Sequence, residues 1–474
     1  MARRFFTRSL SVKGLGASSL MLGAGGISAP LWASGSHRAD VIIIGAGLAG
    51  LTSARYLKAQ GLKVLLLEAR KRVGGRIQTI NTHGIHAEVG GLQIGQGYGL
   101  MRTFAQQLDL PLVSLGQYAE QNTFVINGQR ISADEWPTHP QNSLAASEKN
   151  TLPSRLYYQM LSKGPEYALP WDWTSEKYAP LDISLEAYFK QQNISPEALR
   201  LMDANINALS LKELSAADAF YRLSLARIGG RGAQKIKGGN SRFTQALADD
   251  LTEELHTTKI VTHISQSSDK VAVRCEDGSQ YIGKRCIITS PFSALKDVVI
   301  QTDISPQKRH AIQHAQYTPV TQVHFAVKKQ ADVSMVQATN LWTDNALGRV
   351  FSQVDDAGEL RYLTSWINGQ QAKVLDRLSS SEAVNTVKNA LEKHYPGLKG
   401  KTEVVHHQSW ANERFSKGAY IQFAPGQVQT LVPHMASIEG KLHFAGEHTE
   451  FMYSGMESAI VSGQRAAQEV SERL

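Results

Sequence analysis

A glycine-rich hexapeptide between two short apolar runs constrains the fold of this chain more than any other feature. The hexapeptide reads Gly45-Ala46-Gly47-Leu48-Ala49-Gly50. The run 40–45 predicts a buried parallel strand, residues 51–60 predict a helix, and residues 63–67 predict a second apolar strand. Together they form a βαβ unit of about 30 residues, the setting in which such glycines bind a dinucleotide.

The loop glycines and the acid after the second strand each have a physical role in this interpretation. Gly45 permits the tight turn, Gly47 lets backbone N–H groups approach a pyrophosphate, and Gly50 lets the helix pack close to the strand. The N-terminus of the helix then faces the negative phosphates. Glu68 can accept hydrogen bonds from ribose hydroxyls and disfavours a 2′-phosphate, which argues against NADP. The predicted binding set also includes the other loop residues, Ala46, Leu48 and Ala49.

The residues after the second strand favour FAD over NAD. Residues 68–76 read Glu-Ala-Arg-Lys-Arg-Val-Gly-Gly-Arg and resemble the second fingerprint of glutathione-reductase-type flavoproteins. Glycines allow close backbone approach, and arginine matches phosphate through paired hydrogen bonds. Residues 88–91 resemble the next flavin-proximal loop. The resemblance implies these further cofactor contacts: Ala69, Arg70, Gly74, Gly75, Arg76, Gly90 and Gly91.

Motifs along the remaining chain are similar to the flavin-containing amine oxidase family, which includes monoamine, polyamine and L-amino-acid oxidases. The likeness covers residues 38–472 and is carried by the segments 237–240, 260–264, 410–420, 443–449 and 454–459. It implies that Val261 meets adenine through its backbone. It also implies flavin contacts from Gly446, Glu447 and Met456.

The expected fold class is α/β, with a Rossmann-type FAD-binding domain of the glutathione-reductase-type superfamily and an interleaved α+β substrate domain. The FAD-binding domain would combine residues 38–92, 226–297 and 405–474. The substrate domain would combine residues 93–225 and 298–404.

Two aromatic residues near the C-terminus are the candidates for holding a substrate. Tyr420 matches the tyrosine that forms one wall of the family's aromatic cage, although a core tyrosine is the alternative. Trp410 is the second candidate for positioning. Ala419 stands where some monoamine oxidases have a flavin-linked cysteine, so the resemblance implies non-covalent FAD. The second cage position falls on Gly455 or Met456, and Tyr453 is a candidate replacement.

The strand 319–327 departs from the family at the position of a lysine that holds a water under the flavin. Gln322 aligns with that lysine, and His324 lies two residues on, on the same strand face. Either side chain could bind water there, and a structural histidine is the alternative. The missing lysine argues against efficient reaction of the reduced flavin with oxygen.

The resemblance implies oxidation of a primary or secondary amine. A hydride would pass from the carbon next to nitrogen to flavin N5, the imine would hydrolyse, and oxygen or another acceptor would reoxidise FAD. The alternatives are a dehydrogenase or desaturase that uses another electron acceptor, an L-amino-acid oxidase, and a flavin-binding protein without turnover. Gln93 replaces the arginine of L-amino-acid oxidases, so an α-amino acid would need another arginine, such as Arg102 or Arg349.

The first 35 residues resemble a twin-arginine export signal. Arg3-Arg4 is followed by Phe6 and by a weakly apolar stretch, 15–31, that is too mild for a stable membrane span. We therefore expect a folded, FAD-loaded protein in the periplasm or outside the cell. A disordered basic tail and a retained anchor are the alternatives.

Composition and cysteines exclude some other classes of function. Hydrophobic residues make up 42% and charged residues 19%, and the net charge of +8 includes no long basic run, so no nucleic-acid partner is expected. Cys275 and Cys286 flank a predicted turn at 276–279 and lack zinc-site spacing, which predicts two buried free thiols and no metal. A disulfide, formed in an oxidising compartment, is the alternative to two free thiols. The protein could also form a homodimer.

Overall fold

The computed structural model describes residues 37–82, 84–115, 121–169, 171–229, 232–328, 331, 340–354 and 360–474. The predicted export signal lies outside these residues. The strands are β1 (His37–Arg38), β2 (Val41–Ile44), β3 (Val64–Leu67), β4 (Thr79–Thr82), β5 (Ile85–Glu88), β6 (Ile94–Gly95), β7 (Leu112–Ser114), β8 (Gln121–Ile126), β9 (Gln129–Ser132), β10 (Ala233–Ile236), β11 (Leu255–His256), β12 (Val261–Gln266), β13 (Val271–Cys275), β14 (Gln280–Gly283), β15 (Arg285–Ile288), β16 (Val299–Ile300), β17 (Gln316–Tyr317), β18 (Val320–Val327), β19 (Asn340–Thr343), β20 (Arg349–Val354), β21 (Leu360–Asn368), β22 (Thr402–Ser409), β23 (Ile421–Gln422) and β24 (Leu442–Phe444).

The helices connect these strands and cover their faces. The α-helices are α1 (Leu48–Ala59), α2 (Gly99–Gln107), α3 (Pro153–Leu161), α4 (Leu185–Gln191), α5 (Pro196–Ala204), α6 (Ala216–Ile228), α7 (Ser241–Asp249), α8 (Phe292–Leu295), α9 (Pro306–His314), α10 (Gly369–Leu375), α11 (Ser380–His394), α12 (Gln427–Met435) and α13 (Gly455–Ser471). Short 3₁₀ turns occur at Trp136–Thr138, Asp172–Thr174, Glu176–Leu181, Pro396–Leu398 and Glu447–Thr449.

A five-stranded parallel sheet in the order β11-β3-β2-β15-β24 forms around the predicted βαβ unit. The four residues of β2 are buried, as expected for a parallel strand covered on both faces. The register aligns the last residues of four strands in one row: Leu67, Ile44, Ile288 and Phe444. The loops that follow these strands therefore meet at one edge, where ligands bind in open α/β sheets.

The last helix of the chain supports the first. The hydroxyl of Ser53 in α1 donates to the Gly463 carbonyl in α13 over 2.8 Å. A Cβ at Gly463 would lie 2.4 Å from the Ala49 carbonyl oxygen, so glycine is required for this close approach.

A seven-stranded sheet in the order β22-β18-β21-β20-β19-β8-β9 forms a second layer. Its register places Gln322, Trp366 and Arg349 directly opposite one another on three adjacent strands. Residues that are directly opposite share one face of a sheet, so these side chains form a row. The division into two discontinuous domains stays a prediction, and because β22 belongs to this sheet, a boundary there lies after Ser409 rather than at 405.

Strands β13 and β14 form the hairpin that the sequence predicts. Arg274 pairs with Gln280, and both cysteines of the chain are buried and free. The prediction of two buried free thiols is confirmed, because the turn directs Cys275 away from Cys286. Among the described residues, no helix combines the length and apolar character needed to cross a membrane.

Candidate active site

A cavity of about 740 Å³ runs along the carboxyl edge of the parallel sheet and reaches the seven-stranded sheet. This volume lies within the range of about 300–1,000 Å³ that small-molecule sites have. The cavity is lined both by the loops after β2, β3 and β15 and by the row from Gln322 to Arg349. One space therefore connects the predicted cofactor loops with the predicted substrate residues.

The glycine loop has the geometry that close approach to a ligand requires. Gly45 has φ of +102°, and a Cβ there would lie 2.6 Å from the Thr289 hydroxyl. A Cβ at Gly50 would lie 1.9 Å from the Gly45 carbonyl oxygen. A Cβ at Gly47 would meet no protein atom within 4 Å, because it would project into the cavity. Gly45 and Gly50 are therefore needed for the turn, and Gly47 keeps the cavity open for a ligand.

Glu68 braces the glycine loop from the end of β3. Its carboxylate is buried and accepts hydrogen bonds from the backbone N–H of Ala46 at 2.8 Å and of Arg70 at 2.9 Å. The sequence predicted ribose contacts here, and the structure adds a function in the protein itself. Glu68 also lines the cavity, and a carboxylate can accept more hydrogen bonds than these two.

Arg70 lines the cavity but is bound to acids of the protein. Its guanidinium donates to the carboxylate of Glu413 and to the Ser416 hydroxyl at 2.9 Å, and it lies 3.6 Å from Glu68. These contacts link the segment before Tyr420 to residues 68–76, the second fingerprint.

Arg76 and Glu447 bracket the backbone of Tyr420. Nη1 of Arg76 donates to the Ala419 carbonyl at 2.8 Å and to Oε2 of Glu447 at 2.9 Å. Oε1 of Glu447 accepts the Ile421 N–H at 2.9 Å. Two residues predicted to bind the cofactor therefore also fix the predicted substrate wall.

The Val89 carbonyl joins Trp410 and Gln322. It accepts from Nε1 of Trp410 at 2.7 Å and from the Gln322 amide at 3.3 Å. Both side chains are buried and line the cavity. The loop before Gly90 therefore holds an aromatic ring and an amide side by side.

His324 does not line the described cavity, which corrects the expectation for this residue. Its Nε2 lies 3.0 Å from Oε1 of Gln322, and its Nδ1 lies 3.0 Å from the Thr364 hydroxyl. Burial lowers the pKa of His324 to about 3, with a smaller effect of His406, so the ring is neutral at physiological pH. His324 orients the Gln322 amide from behind.

The N-terminus of α13 reaches the cavity through Gly455 and Met456. Gly455 has φ of +57°, and a Cβ there would lie 2.9 Å from the Tyr98 hydroxyl. Tyr98 therefore occupies the space that a larger residue at 455 would need, and it lines the cavity itself. Tyr453, the candidate replacement aromatic, also lines the cavity.

A polar network holds Arg349 at the far part of the cavity. Arg349 donates to Oδ1 of Asn207 at 2.7 Å, and the Asn368 amide donates to the same oxygen at 2.6 Å. Nε1 of Trp366 donates to Oδ1 of Asn368 at 2.5 Å. Of the two arginines that the sequence offered, Arg349 lines the cavity, whereas Arg102 binds Gln234 elsewhere.

Nearly all predicted site residues come together in this cavity. Those that line it are Gly45, Gly47, Leu48, Ala49, Glu68, Ala69, Arg70, Gly74, Gly75, Arg76, Gly90, Gly91, Val261, Gln322, Trp410, Tyr420, Gly446, Glu447 and Met456. Those that do not are Ala46, Gly50 and His324, each of which supports a lining residue. Trp171 and Trp173, two tryptophans of the segment between α3 and α4, do not line it either.

Sequence reasoning missed several lining residues of the far part, including Tyr98, Asn207, Tyr221, Arg222 and Phe351. Tyr221 and Arg222 lie on α6, and helical periodicity does not tell which face of a helix meets a ligand. Arg222 pairs with the buried carboxylate of Asp218 at 2.9 Å. The spacing of Asp218 and Arg222, four residues apart on a helix, was the sequence signal for this ion pair.

The residues of the cavity fit FAD. Open space in front of Gly47 suits a pyrophosphate, and the N-termini of α1 and α13 both supply backbone N–H groups. The cavity continues past Trp410 and Tyr420, which leaves room for a ring system and a small substrate.

Comparisons with known proteins agree with this geometry. The chain is 23% identical over 450 residues to an L-amino-acid oxidase of Naja atra, covering 92% of this chain and 88% of that protein. A putrescine oxidase structure with bound putrescine matches with a TM-score of 0.75 at 20% identity, over 92% of this chain and 100% of that one. Cyclohexylamine oxidase from Brevibacterium oxydans matches with a TM-score of 0.76 at 22% identity, over 92% and 99%. These similarities confirm the predicted α/β flavoprotein fold.

The family of flavin-containing amine oxidoreductases matches residues 48–471. This match spans most of the chain, from the first residue of α1 to the last residue of α13. The chain therefore belongs to the flavin-containing amine oxidoreductase family and is an oxidoreductase whose cofactor is FAD, as its dinucleotide loop predicts.

Proposed function

We propose that this protein oxidises a primary or secondary amine with non-covalently bound FAD. The observation that carries the proposal is one continuous cavity, lined by the dinucleotide loop and by Trp410 and Tyr420. When bound, FAD supplies the oxidising chemistry by accepting a hydride from the carbon next to nitrogen. The resulting imine hydrolyses to a carbonyl compound, and oxygen is the proposed final acceptor, giving hydrogen peroxide.

The protein's own residues orient the amine and exclude water. Trp410 is immobilised by the Val89 carbonyl, so its ring offers a fixed apolar surface. Burial raises the pKa of Tyr420 to about 12, so the hydroxyl keeps its proton at neutral pH. An aromatic ring stabilises an apolar amine by packing and attracts an ammonium group electrostatically. A neutral bound amine needs no general base.

The proposal that FAD is bound without a covalent link rests on Ala419 and on the positions of the two cysteines. Ala419 offers no thiol, and neither Cys275 nor Cys286 lines the cavity. Acid precipitation of the holoenzyme should release the yellow colour into the supernatant. Colour retained in the pellet would contradict non-covalent binding.

An anaerobic panel of amines tests the proposed reaction. Absorbance of the bound flavin should bleach with at least one amine, and peroxide should form when air is admitted. Bleaching without peroxide would favour a dehydrogenase that uses another acceptor. A flavin that no amine bleaches would overturn the proposal and favour a binding protein without turnover.

An α-amino acid is the second candidate substrate, and Arg349 is the observation that favours it. A guanidinium binds a carboxylate through two parallel hydrogen bonds, and Arg349 lines the cavity beside Trp366 and Asn207. The relatives named L-amino-acid oxidases add support. If this candidate holds, Arg349→Met should raise KM for α-amino acids about 100-fold, since a charged hydrogen bond contributes about 3 kcal/mol. The variant should leave KM for uncharged amines within about twofold, and equal effects on both substrate types would reject the candidate.

Export by the twin-arginine route is a separate proposal that rests on residues 3–35 alone. Replacing Arg3 and Arg4 with lysine should leave the folded, FAD-loaded protein in the cytoplasmic fraction. Unchanged export of this variant would overturn the proposal.

A further inference from the structure

We propose that Tyr221 positions the rim of the cavity, and that Tyr453, held in place by Tyr221, selects amines by their bulk. The inference rests on the proposed function, because it assumes that an amine enters this cavity. It adds Tyr221 as a positioning residue and places Tyr453, which the sequence suggested for the aromatic cage, at the rim of the cavity instead.

The rim is identified by side chains that are both exposed and part of the cavity wall. Tyr158 of α3 is 52% exposed, and Tyr453, just before α13, is 42% exposed. Ala226 at the end of α6 is exposed as well, and all three residues line the cavity. These three residues share the exposed part of the wall formed by α3, α6 and the segment before α13, which is the opening assigned to the substrate.

Tyr221 is buried in the cavity wall and holds the backbone of the segment that carries Tyr453. Its ring is 4% exposed and lines the cavity. Its hydroxyl donates to the Phe451 carbonyl at 2.8 Å and lies 3.3 Å from the Tyr453 carbonyl. One hydroxyl from the buried part of α6 thus bridges two carbonyls of the segment that carries Tyr453.

The hydroxyl of Tyr221 has little freedom to move. The Tyr221 ring stacks on the buried Trp173 ring with centroids 4.3 Å apart and an interplanar angle of 12°. Trp173 also packs edge-on against Phe451, at 5.7 Å between centroids. Tyr221 and Trp173 therefore connect the rim to the core of the protein.

A second contact fixes the start of the same segment. Oε1 of Glu450 accepts the Met452 N–H at 2.8 Å, which folds the chain into a short turn. With its backbone held at 451, 452 and 453, the segment presents the Tyr453 ring at a defined position. A substituent far from the reacting C–N bond would meet this ring, so its bulk decides whether the amine fits.

The proposal is tested with holoenzyme of four variants: Tyr453→Ala, Tyr221→Phe, the double variant, and Tyr167→Phe as control. Tyr167 is buried, and its hydroxyl donates to the Ala217 carbonyl at 3.1 Å, but it does not line the cavity. Tyr221→Phe and Tyr167→Phe thus each remove one buried hydroxyl-to-carbonyl hydrogen bond near α6.

The kinetic measurement is the ratio of kcat/KM for 2-phenylethylamine to that for n-butylamine. Tyr453→Ala should raise this ratio because it removes the ring. Tyr221→Phe should raise it by about fivefold, for a lost hydrogen bond of about 1 kcal/mol. The double variant should match Tyr453→Ala, because Tyr221 acts through Tyr453. Tyr167→Phe should leave the ratio unchanged even if its melting temperature falls. An unchanged ratio in Tyr221→Phe, or multiplied effects in the double variant, would overturn the proposal.

A second measurement needs no turnover and separates this proposal from the proposed function. Quenching of the bound flavin's fluorescence by acrylamide should increase in Tyr453→Ala and Tyr221→Phe but not in Tyr167→Phe. Increased quenching in a protein that oxidises no amine would support the proposed role of Tyr221 and Tyr453 at the rim. The same result would reject amine oxidation. Amine oxidation with neither quenching nor ratio changed would reject the rim alone.

Discussion

Nη1 of Arg76 lies 2.9 Å from Oε2 of Glu447, although the two residues are 371 positions apart in the chain. The pair is mostly buried, with 22% of the Arg76 side chain and 11% of the Glu447 side chain exposed. Because both residues also bind the backbone beside Tyr420, this ion pair joins the cofactor loops to the substrate wall.

Arg76→Met should destabilise the protein by about 3 kcal/mol, because it leaves the Glu447 carboxylate without its charged partner. Guanidinium unfolding in excess FAD measures this change. Arg55→Met is the matched control, since Arg55 pairs with the exposed Asp250 carboxylate on the surface. The control should lose less than about 1 kcal/mol. Equal losses in both variants would show that the buried pair has no special role.

Two alanine substitutions in the glycine loop should separate FAD binding from folding. Gly47→Ala should mainly weaken binding, and Gly50→Ala should mainly lower stability. Gly47→Ala should change stability by no more than about 1 kcal/mol, because φ of −78° suits alanine. It should weaken FAD binding at least about tenfold, or 1.4 kcal/mol, since its Cβ enters the cavity. Titration of the apoprotein with FAD measures this change.

Gly50→Ala should instead destabilise the protein itself. Its Cβ would lie 1.9 Å from a backbone oxygen, and relief requires α1 to move at a cost of about 3 kcal/mol. A Gly50→Ala protein with normal stability would contradict the packing described for this loop. Normal FAD affinity in Gly47→Ala would contradict the placement of the pyrophosphate.

Glu88 should make stability depend on pH. Burial raises the pKa of Glu88 to about 7 from its ordinary value of 4.5, although Asn240 N–H and the Thr79 hydroxyl bind the carboxylate. The folded state therefore favours the protonated carboxyl of Glu88. This preference stabilises the folded protein fully below pH 4.5, and the stabilisation is lost as pH rises through 7.

The loss between pH 4.5 and 8 amounts to at most about 3 kcal/mol for a shift of this size. Glu88→Gln should remove this pH-dependent loss of stability. The free energies of unfolding of wild type and variant, measured with urea, should therefore differ more at pH 8 than at pH 5. Parallel stability curves across this range would count against the shifted pKa.

His324 should not titrate in the physiological range. Its pKa of about 3 keeps the ring neutral between pH 5 and 8, whereas an ordinary exposed histidine titrates near pH 6.5. NMR shifts of the His324 ring, assigned by comparison with His324→Gln, should stay constant over that interval. An inflection of the His324 shifts near pH 6.5 would show that its ring is not buried.

The sequence predicted the parts of the site whose geometry is local. The strand, glycine loop, helix and acid from 40 to 68 lie within one βαβ unit, so their spacing alone determines how they meet. The predicted helix at 51–60 begins three residues earlier in the structure, at Leu48, because Gly47 already caps it. The buried free cysteines were predictable for the same reason, since a hairpin register is local.

Residues whose role depends on distant partners were not predictable in this way. Arg349 reaches the cavity because of sheet register with Trp366, and Asn207 supports it from a loop after α5. Gln322 and His324 share a strand face as predicted, yet hydrogen bonding to Thr364 keeps His324 behind Gln322. The glycine at 455 is explained by Tyr98, more than 350 positions earlier, and no local pattern reports that proximity.

The packing of α13 on α1 makes the dinucleotide-binding turn depend on a helix 410 positions away in the chain, as the Ser53–Gly463 contact shows. The turn gains this support only after α13 has been synthesised and has docked on α1. Variants truncated before Gly455 should therefore fail to retain the coenzyme and should be purified colourless.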